Sequence, residues 1–141
     1  MPIATTSIWI PAPPSSVWRV LADTDAWPAW NPVQPGLRAL LAPGAKGLVA
    51  VRAGGRVAWL PIRMVAVDPE RTLSWSGGVP GLFHAIHGFD LTPEDDGTRV
   101  AHVEAFSGVV PLVLWRSLER QLLPRYSAVN RALRDRVQST A

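Results

Sequence analysis

The chain has 141 residues, a mass of 15.3 kDa and a formal charge of +3. Hydrophobic residues make up 48% and charged ones 18%, which excludes a disordered tail and a charge-rich coiled coil. No cysteine is present, so disulfides, thiolate nucleophiles and cysteine zinc sites are excluded. The length predicts one domain over 1–141 with a core of its own. The basicity comes from thirteen arginines and one lysine, Lys46, scattered along the chain rather than interleaved with aromatics, so no nucleic-acid partner is expected. Residues 1–15 lack the basic start and apolar run of a signal peptide. The stretch from Thr72 to Phe89 is uncharged but is interrupted by Gly77, Gly78, Pro80, Gly81 and Gly88, so no membrane insertion is expected. The expectation is a cytoplasmic protein.

Ile3 to Ile10 is rich in β-branched residues and reads as a strand, ended by Pro11, Pro13 and Pro14. Ser15 or Ser16 then caps a short helix with Val17, Trp18, Val20 and Leu21 on its apolar face. A second short helix or turn follows from Asp25 to Trp30, closed by Asn31-Pro32, because a residue before proline avoids the helical region. From Val33 to Gly108, turn signals at Gly44, Gly47, Gly54-Gly55, Asp68-Pro69, Gly77-Gly78 and Asp95-Asp96-Gly97 divide the chain into a meander of six strands. Ala45 to Arg52 pairs with Arg56 to Val67, and Leu82 to Thr92 pairs with Thr98 to Gly108. Pro111 to Gln138 is the longest helix. Its stripe of Trp115, Leu118, Leu122, Tyr126, Val129, Leu133 and Val137 steps by three or four residues. Pro111 suits a first turn, and Pro124 predicts a kink.

This order predicts an α+β fold: a curved antiparallel sheet of seven strands wrapped around the C-terminal helix, with two short helices after the first strand. A space between the two layers is a place for a small molecule. Strand alternation puts Val100, His102, Glu104 and Phe106 on one face, and His87, Phe89 and Leu91 on one face of the partner strand. His87, His102 and Glu104 therefore converge on the inner wall. A histidine paired with a buried carboxylate suits acid–base work on a carbon acid or hydroxyl. The same groups also satisfy one another in a polar-lined core. Trp59 and Trp75 are candidates for an aromatic wall, and Tyr126 for a second acid or a ligand anchor. Arg63 shares parity with Trp59 and would hold a carboxylate or enolate if it points inward. His84 and His87 fall on opposite faces of a strand, so no metal site is expected. No phosphate loop, dinucleotide fingerprint or zincin motif occurs, and no cofactor is expected. The C-terminal helix carries Arg116, Arg120, Arg125, Arg131, Arg134 and Arg136 against Glu119 and Asp135, a candidate face for an acidic carrier protein or an anionic membrane.

The element order, the opening IWIPAPPSSVWRVLADTDAWPAWNP, the Leu73-x-Trp75-x-Gly77 strand, PGLFHAIHGFDLTP, DDGTRVAHVEAFSG and the terminal YSAVNRALRDRV resemble the START-like (SRPBCC, helix-grip) superfamily, and within it the polyketide cyclase/dehydrase-like members. The resemblance spans nearly the whole chain. It implies the helix-grip fold and a small hydrophobic or aromatic metabolite in the cavity, with Trp59, Arg63, Trp75, Phe89, Phe106 and Tyr126 as its contacts. A cofactor-independent cyclase or dehydratase is the alternative: His87 or His102 is then the base, Glu104 its partner, and Tyr126 or Arg63 the enolate stabiliser. A third reading is a protein-interaction module of the chaperone-regulator type with a filled cavity. The narrower relatives read Gly-Glu-His where this chain reads Ala85-Ile86-His87. The missing glutamate is either a chemical group this chain lacks or a solvent-facing residue.

Overall fold

The computed structural model describes residues 2–140. The strands are β1 (Ile3–Ile10), β2 (Gly36–Ala39), β3 (Lys46–Ala53), β4 (Arg56–Asp68), β5 (Thr72–Val79), β6 (Phe83–Glu94) and β7 (Gly97–Ser107). They form one antiparallel sheet in the order β1-β7-β6-β5-β4-β3-β2. Each neighbour from β2 to β7 follows in sequence, as turn-linked strands do. Only β1 joins out of order, closing on β7.

Helix α1 (Pro14–Ala22) starts with proline at its first turn and has no side-chain cap, so neither Ser15 nor Ser16 caps it. Val17, Val20 and Leu21 are its buried face. A short 3-10 helix, Thr24–Ala29, follows and buries Trp27, whose indole N–H donates to the Leu21 carbonyl at 3.1 Å. Helix α2 (Val109–Ser139) lies on the concave face and buries Tyr126, Val129, Asn130, Leu133 and Val137. The stripe from Trp115 to Val137 is therefore the seam facing the sheet, with Trp115, Leu118 and Leu122 partly buried against Phe106 and Tyr126.

The break in α2 is not at Pro124. The backbone stays helical there, and the one non-helical residue inside the run is Leu114 (φ −105°, ψ 19°). The first turn is tied to the β5–β6 turn instead: Val109 N–H donates to the Gly81 carbonyl at 3.1 Å and Val110 N–H to the Leu82 carbonyl at 3.0 Å. Those bonds set one axis for residues 109–113, and packing against the sheet sets another for the rest. Gly108, at φ +103°, makes the corner, and a Cβ there would stand 2.6 Å from the Leu82 carbonyl oxygen.

The main core joins Ile10, Val17, Leu21, Trp27, Leu73, Phe89, Val100, Val129, Leu133 and Val137. A second cluster, Ala4, Ala85, Phe106 and Tyr126, fills the end where α2 begins. The candidate site lies between the two.

Candidate functional site

β6 and β7 pair in a register that sets His87 opposite Glu104 and Phe89 opposite His102. Alternation aims all four side chains inward. His87 and His102 meet diagonally, with their Nε2 atoms 2.5 Å apart. His102 is fully buried and His87 nearly so.

The protons in this cluster follow from Asn130. Its amide nitrogen donates to Thr6 Oγ1 at 2.8 Å, and its Oδ1 faces His102 Nδ1 at 3.2 Å. A carbonyl oxygen only accepts, so His102 carries its proton on Nδ1 and offers a lone pair at Nε2. His87 Nε2 must then be the donor across the short contact. That leaves His87 Nδ1, which faces Glu104 Oε1 at 3.5 Å. The Tyr126 hydroxyl donates to the same carboxylate oxygen. The chain Thr6–Asn130–His102–His87 thus pins one side of the His87 ring. Proton exchange is confined to its other side and Glu104.

Burial in the core, and secondarily the positive charge that His87 would carry, hold the His102 imidazole well below the usual histidine range, while its bond to Asn130 opposes them. His102 is therefore a neutral hydrogen-bonding element. Its ring packs against Phe89, Tyr126 and His87 at centroid distances of 4.5, 4.6 and 4.7 Å.

The His87 ring stacks on Trp75 (centroids 5.0 Å, interplanar angle 12°). Gln34 Nε2 is 3.3 Å from both its ring nitrogens, which places the amide over the ring rather than in line with either lone pair. Asn31 sets Gln34 there. Its Oδ1 accepts the backbone N–H groups of Val33 at 3.1 Å and Gln34 at 2.8 Å, an Asx turn. Gln34 is buried, and its Oε1 has no hydrogen-bond partner among the described residues.

These groups form the inner end of a cavity of about 190 Å³. Its walls are Val49, Val51, Leu60, Ile62, Trp75, Phe83 and Ala85, and its polar lining is Gln34, His87 and Glu104. The lining comes from the sheet and the loop before β2; α2 reaches the site through Tyr126, behind Glu104. A larger depression of about 620 Å³ at the other end of the sheet, among Asp68, Glu70, Arg71, Asp90 and Thr92, is an open groove between turns. It holds no buried ionisable pair.

The residues singled out in the sequence separate into three groups. His87, Glu104 and Trp75 line the cavity. His102, Phe89, Phe106 and Tyr126 face inward but stand behind the wall as packed core. Trp59 and Arg63 do not join them and lie on the convex face. Trp59 lies across Gly36, where a Cβ would come within 2.7 Å of its ring, and under the Arg38 guanidinium at 4.4 Å. Arg63 is exposed and donates to the Gly44 carbonyl at 3.3 Å. The inner face of this part of β4 belongs to Ile62 and Met64, so parity turns Trp59 and Arg63 outward. Ile86 also points out, 39% exposed, so a glutamate in its place would face solvent. Among the described residues no three histidine or carboxylate side chains are grouped to hold a metal ion. Gln34, Asn130 and Thr6 gave no motif to read. Asn130 had one sign, its place beside Val129 on the buried side of the longest helix.

A curved antiparallel sheet closed on a long C-terminal helix is the helix-grip, START-like fold. The chain belongs to the family described as polyketide cyclase/dehydrase and lipid transport, whose model matches residues 1–138. It is similar in structure to a protein from Thermus thermophilus (TM-score 0.77, 18% identity, 99% of each chain covered). It is also similar to the Zhui aromatase/cyclase from a Streptomyces species (TM-score 0.76, 17% identity, 97% of this chain and 93% of that one). A short stretch of 31 residues is 55% identical to the oxopyrrolidines biosynthesis cluster protein O of Penicillium oxalicum. That stretch spans 22% of this chain and 15% of that protein's length.

Proposed function

We propose that this protein binds a small, largely apolar aromatic molecule that carries a hydrogen-bond donor. The observation behind the reading is the contrast inside the cavity. Its walls are aliphatic and aromatic, while one end presents the His87–Glu104 pair beside Gln34. Glu104 lines the cavity, so its carboxylate offers an acceptor to a ligand hydroxyl. The apolar walls favour a flat ring, and about 190 Å³ suits one or two rings better than an extended chain. Membership of a polyketide cyclase/dehydrase and lipid transport family agrees with such a ligand class.

The test is a titration of mono- and bicyclic phenols, and of their methyl ethers, followed by tryptophan fluorescence. Native mass spectrometry of the purified protein accompanies it. Phenols are expected to quench Trp75 and the ethers to bind more weakly. Ala85→Leu, which fills the cavity, is expected to abolish both signals. Equal binding of phenols and ethers, or a signal unchanged in Ala85→Leu, would count against the reading.

A second reading, a cofactor-independent cyclase or dehydratase, rests on the pinned His87 ring. With Nε2 committed to His102, Nδ1 and Glu104 form an acid–base pair open to the cavity. On this reading Glu104→Gln folds, still binds phenols and loses turnover of a polyketide-like substrate. Retained turnover removes the mechanism and leaves the binding role intact.

A further inference from the structure

The acidic residues of this molecule gather toward one end, and the other end is nearly free of them. At the acid-poor end lie the β3–β4 turn, the overhanging start of β4, the β5–β6 turn and the first turns of α2. Residues 53–60, 77–83 and 107–118 contain no Asp or Glu. The same end carries Arg52, Arg56, Arg116, Arg120 and Arg125 against Glu119. Arg125 donates to the Arg52 carbonyl at 2.5 Å and so ties α2 to the β3–β4 turn. The turns at the opposite end hold Asp68, Glu70, Glu94, Asp95 and Asp96, with Arg71 and Arg99 among them.

The cationic end is also apolar. Val79, Leu82, Val109, Leu112 and Val113 are all exposed, Leu112 at 74% and Val113 at 72%. They form one continuous tip, because Val109 and Val110 are hydrogen-bonded to the β5–β6 turn and the break at Leu114 separates this turn from the packed helix. Leu60, Gly78 and Phe83 of the cavity wall come from the same strand ends, so the tip borders the cavity mouth. Large exposed aliphatic residues gathered at one tip mark an interaction surface.

We propose that this end docks on an anionic lipid bilayer. Val79, Leu82, Leu112 and Val113 enter the headgroup region, and the surrounding arginines pair with lipid phosphates. The apolar groups sit on projecting turns rather than in a concave groove, a shape that fits a deformable lipid surface better than a folded partner. Exposed aliphatic residues on acid-free turns, followed on the helix by arginines that outnumber Glu119, are what an interfacial segment needs. Among the described residues no helix is long and apolar enough to cross a membrane, so the association is peripheral. Docking would set the cavity mouth against the bilayer, where an apolar ligand can pass without crossing water. The proposal does not depend on which molecule the cavity holds.

The test is flotation of the full chain with vesicles of phosphatidylcholine alone and of phosphatidylcholine with phosphatidylglycerol in equal parts. The wild type is expected to float with the mixed vesicles and to be released by high salt. Leu112→Asp with Val113→Asp, and separately Arg116→Glu with Arg120→Glu, should weaken binding about ten-fold or more. All four positions are exposed, so folding is retained, as circular dichroism would verify. Leu40→Asp is the control. Leu40 is 76% exposed but follows β2 at the other end, and this variant should bind as wild type does. The proposal is overturned if the wild type floats with neither vesicle, if the Leu112/Val113 variant binds undiminished, or if Leu40→Asp is equally impaired. Capture of an acidic acyl carrier protein by this face, with vesicles ignored, would also overturn it.

Discussion

Asn130 of α2 sets the tautomer of His102 on β7. Its Oδ1 lies 3.2 Å from His102 Nδ1, and its amide nitrogen is held by Thr6 of β1 at 2.8 Å. One amide thereby links the helix to two adjacent strands and decides which histidine nitrogen donates. Nitrogen-15 spectra of the wild type should show His102 protonated at Nδ1. Asn130→Leu removes the acceptor, should cost about 1–3 kcal/mol, and should release that tautomer preference. An unchanged imidazole spectrum in the variant would reject this assignment.

Because burial and His87 depress the pKa of His102, stability must fall in acid. The unfolded chain takes up a proton on His102 as pH drops through the ordinary value of 6.5, while the folded chain does not until the lower folded value is reached. Between those two values the unfolded state binds more protons, so this contribution to stability is complete above 6.5 and declines below it. His102→Gln should show a shallower loss of urea midpoint below that pH than the wild type does. Parallel pH profiles would contradict the argument.

Tyr126 and Glu104 act as a unit, since the phenol donates to a carboxylate that is largely shielded from water. Tyr126→Phe should destabilise by about 1.5–3 kcal/mol, the range for losing a bond to a charged group. In a double-mutant cycle with Glu104→Gln the coupling should be about 1 kcal/mol or more. Additive effects would mean that the contact contributes nothing in solution.

Trp75 of β5 and Trp59 of β4 should behave differently. Trp75 is 3% exposed, packs on Trp27, His87 and Phe89, and lines the cavity, so Trp75→Ala should cost about 3–5 kcal/mol. Trp75→Phe should keep the fold and alter phenol binding. Trp59 is 40% exposed and held by Arg38, so Trp59→Ala should cost about 1–2 kcal/mol and leave phenol binding unchanged. A binding defect in Trp59→Ala would place the ligand on the other face of the sheet.

Much of the fold was legible because its signals are local. Alternating β-branched runs, glycine and aspartate turns and one long three-to-four stripe identify seven strands and the terminal helix, and antiparallel neighbours joined by short turns leave little freedom of order. The convergence of His87, His102 and Glu104 was legible for the same reason, since parity along two paired strands is a local property.

The sequence by itself also determined the gathering of acidic residues toward one end, once the turns were located, and the absence of acid from three segments around the mouth. Other features needed the tertiary structure. Parity sorts β4 into two sets without saying which meets the core; the packing of Ile62 and Met64 decided that, and it turned Trp59 and Arg63 outward. Proline chemistry placed the helix break at Pro124, but bonds from Val109 and Val110 to the β5–β6 turn moved it to Leu114. Gln34, Thr6 and Asn130 come from a loop, the first strand and the last helix, and they act on His87 and His102 only because the sheet curls and α2 lies across it. Contacts between residues so far apart in sequence leave no periodic trace, because each is set by the packing of whole elements rather than by the neighbours of either residue.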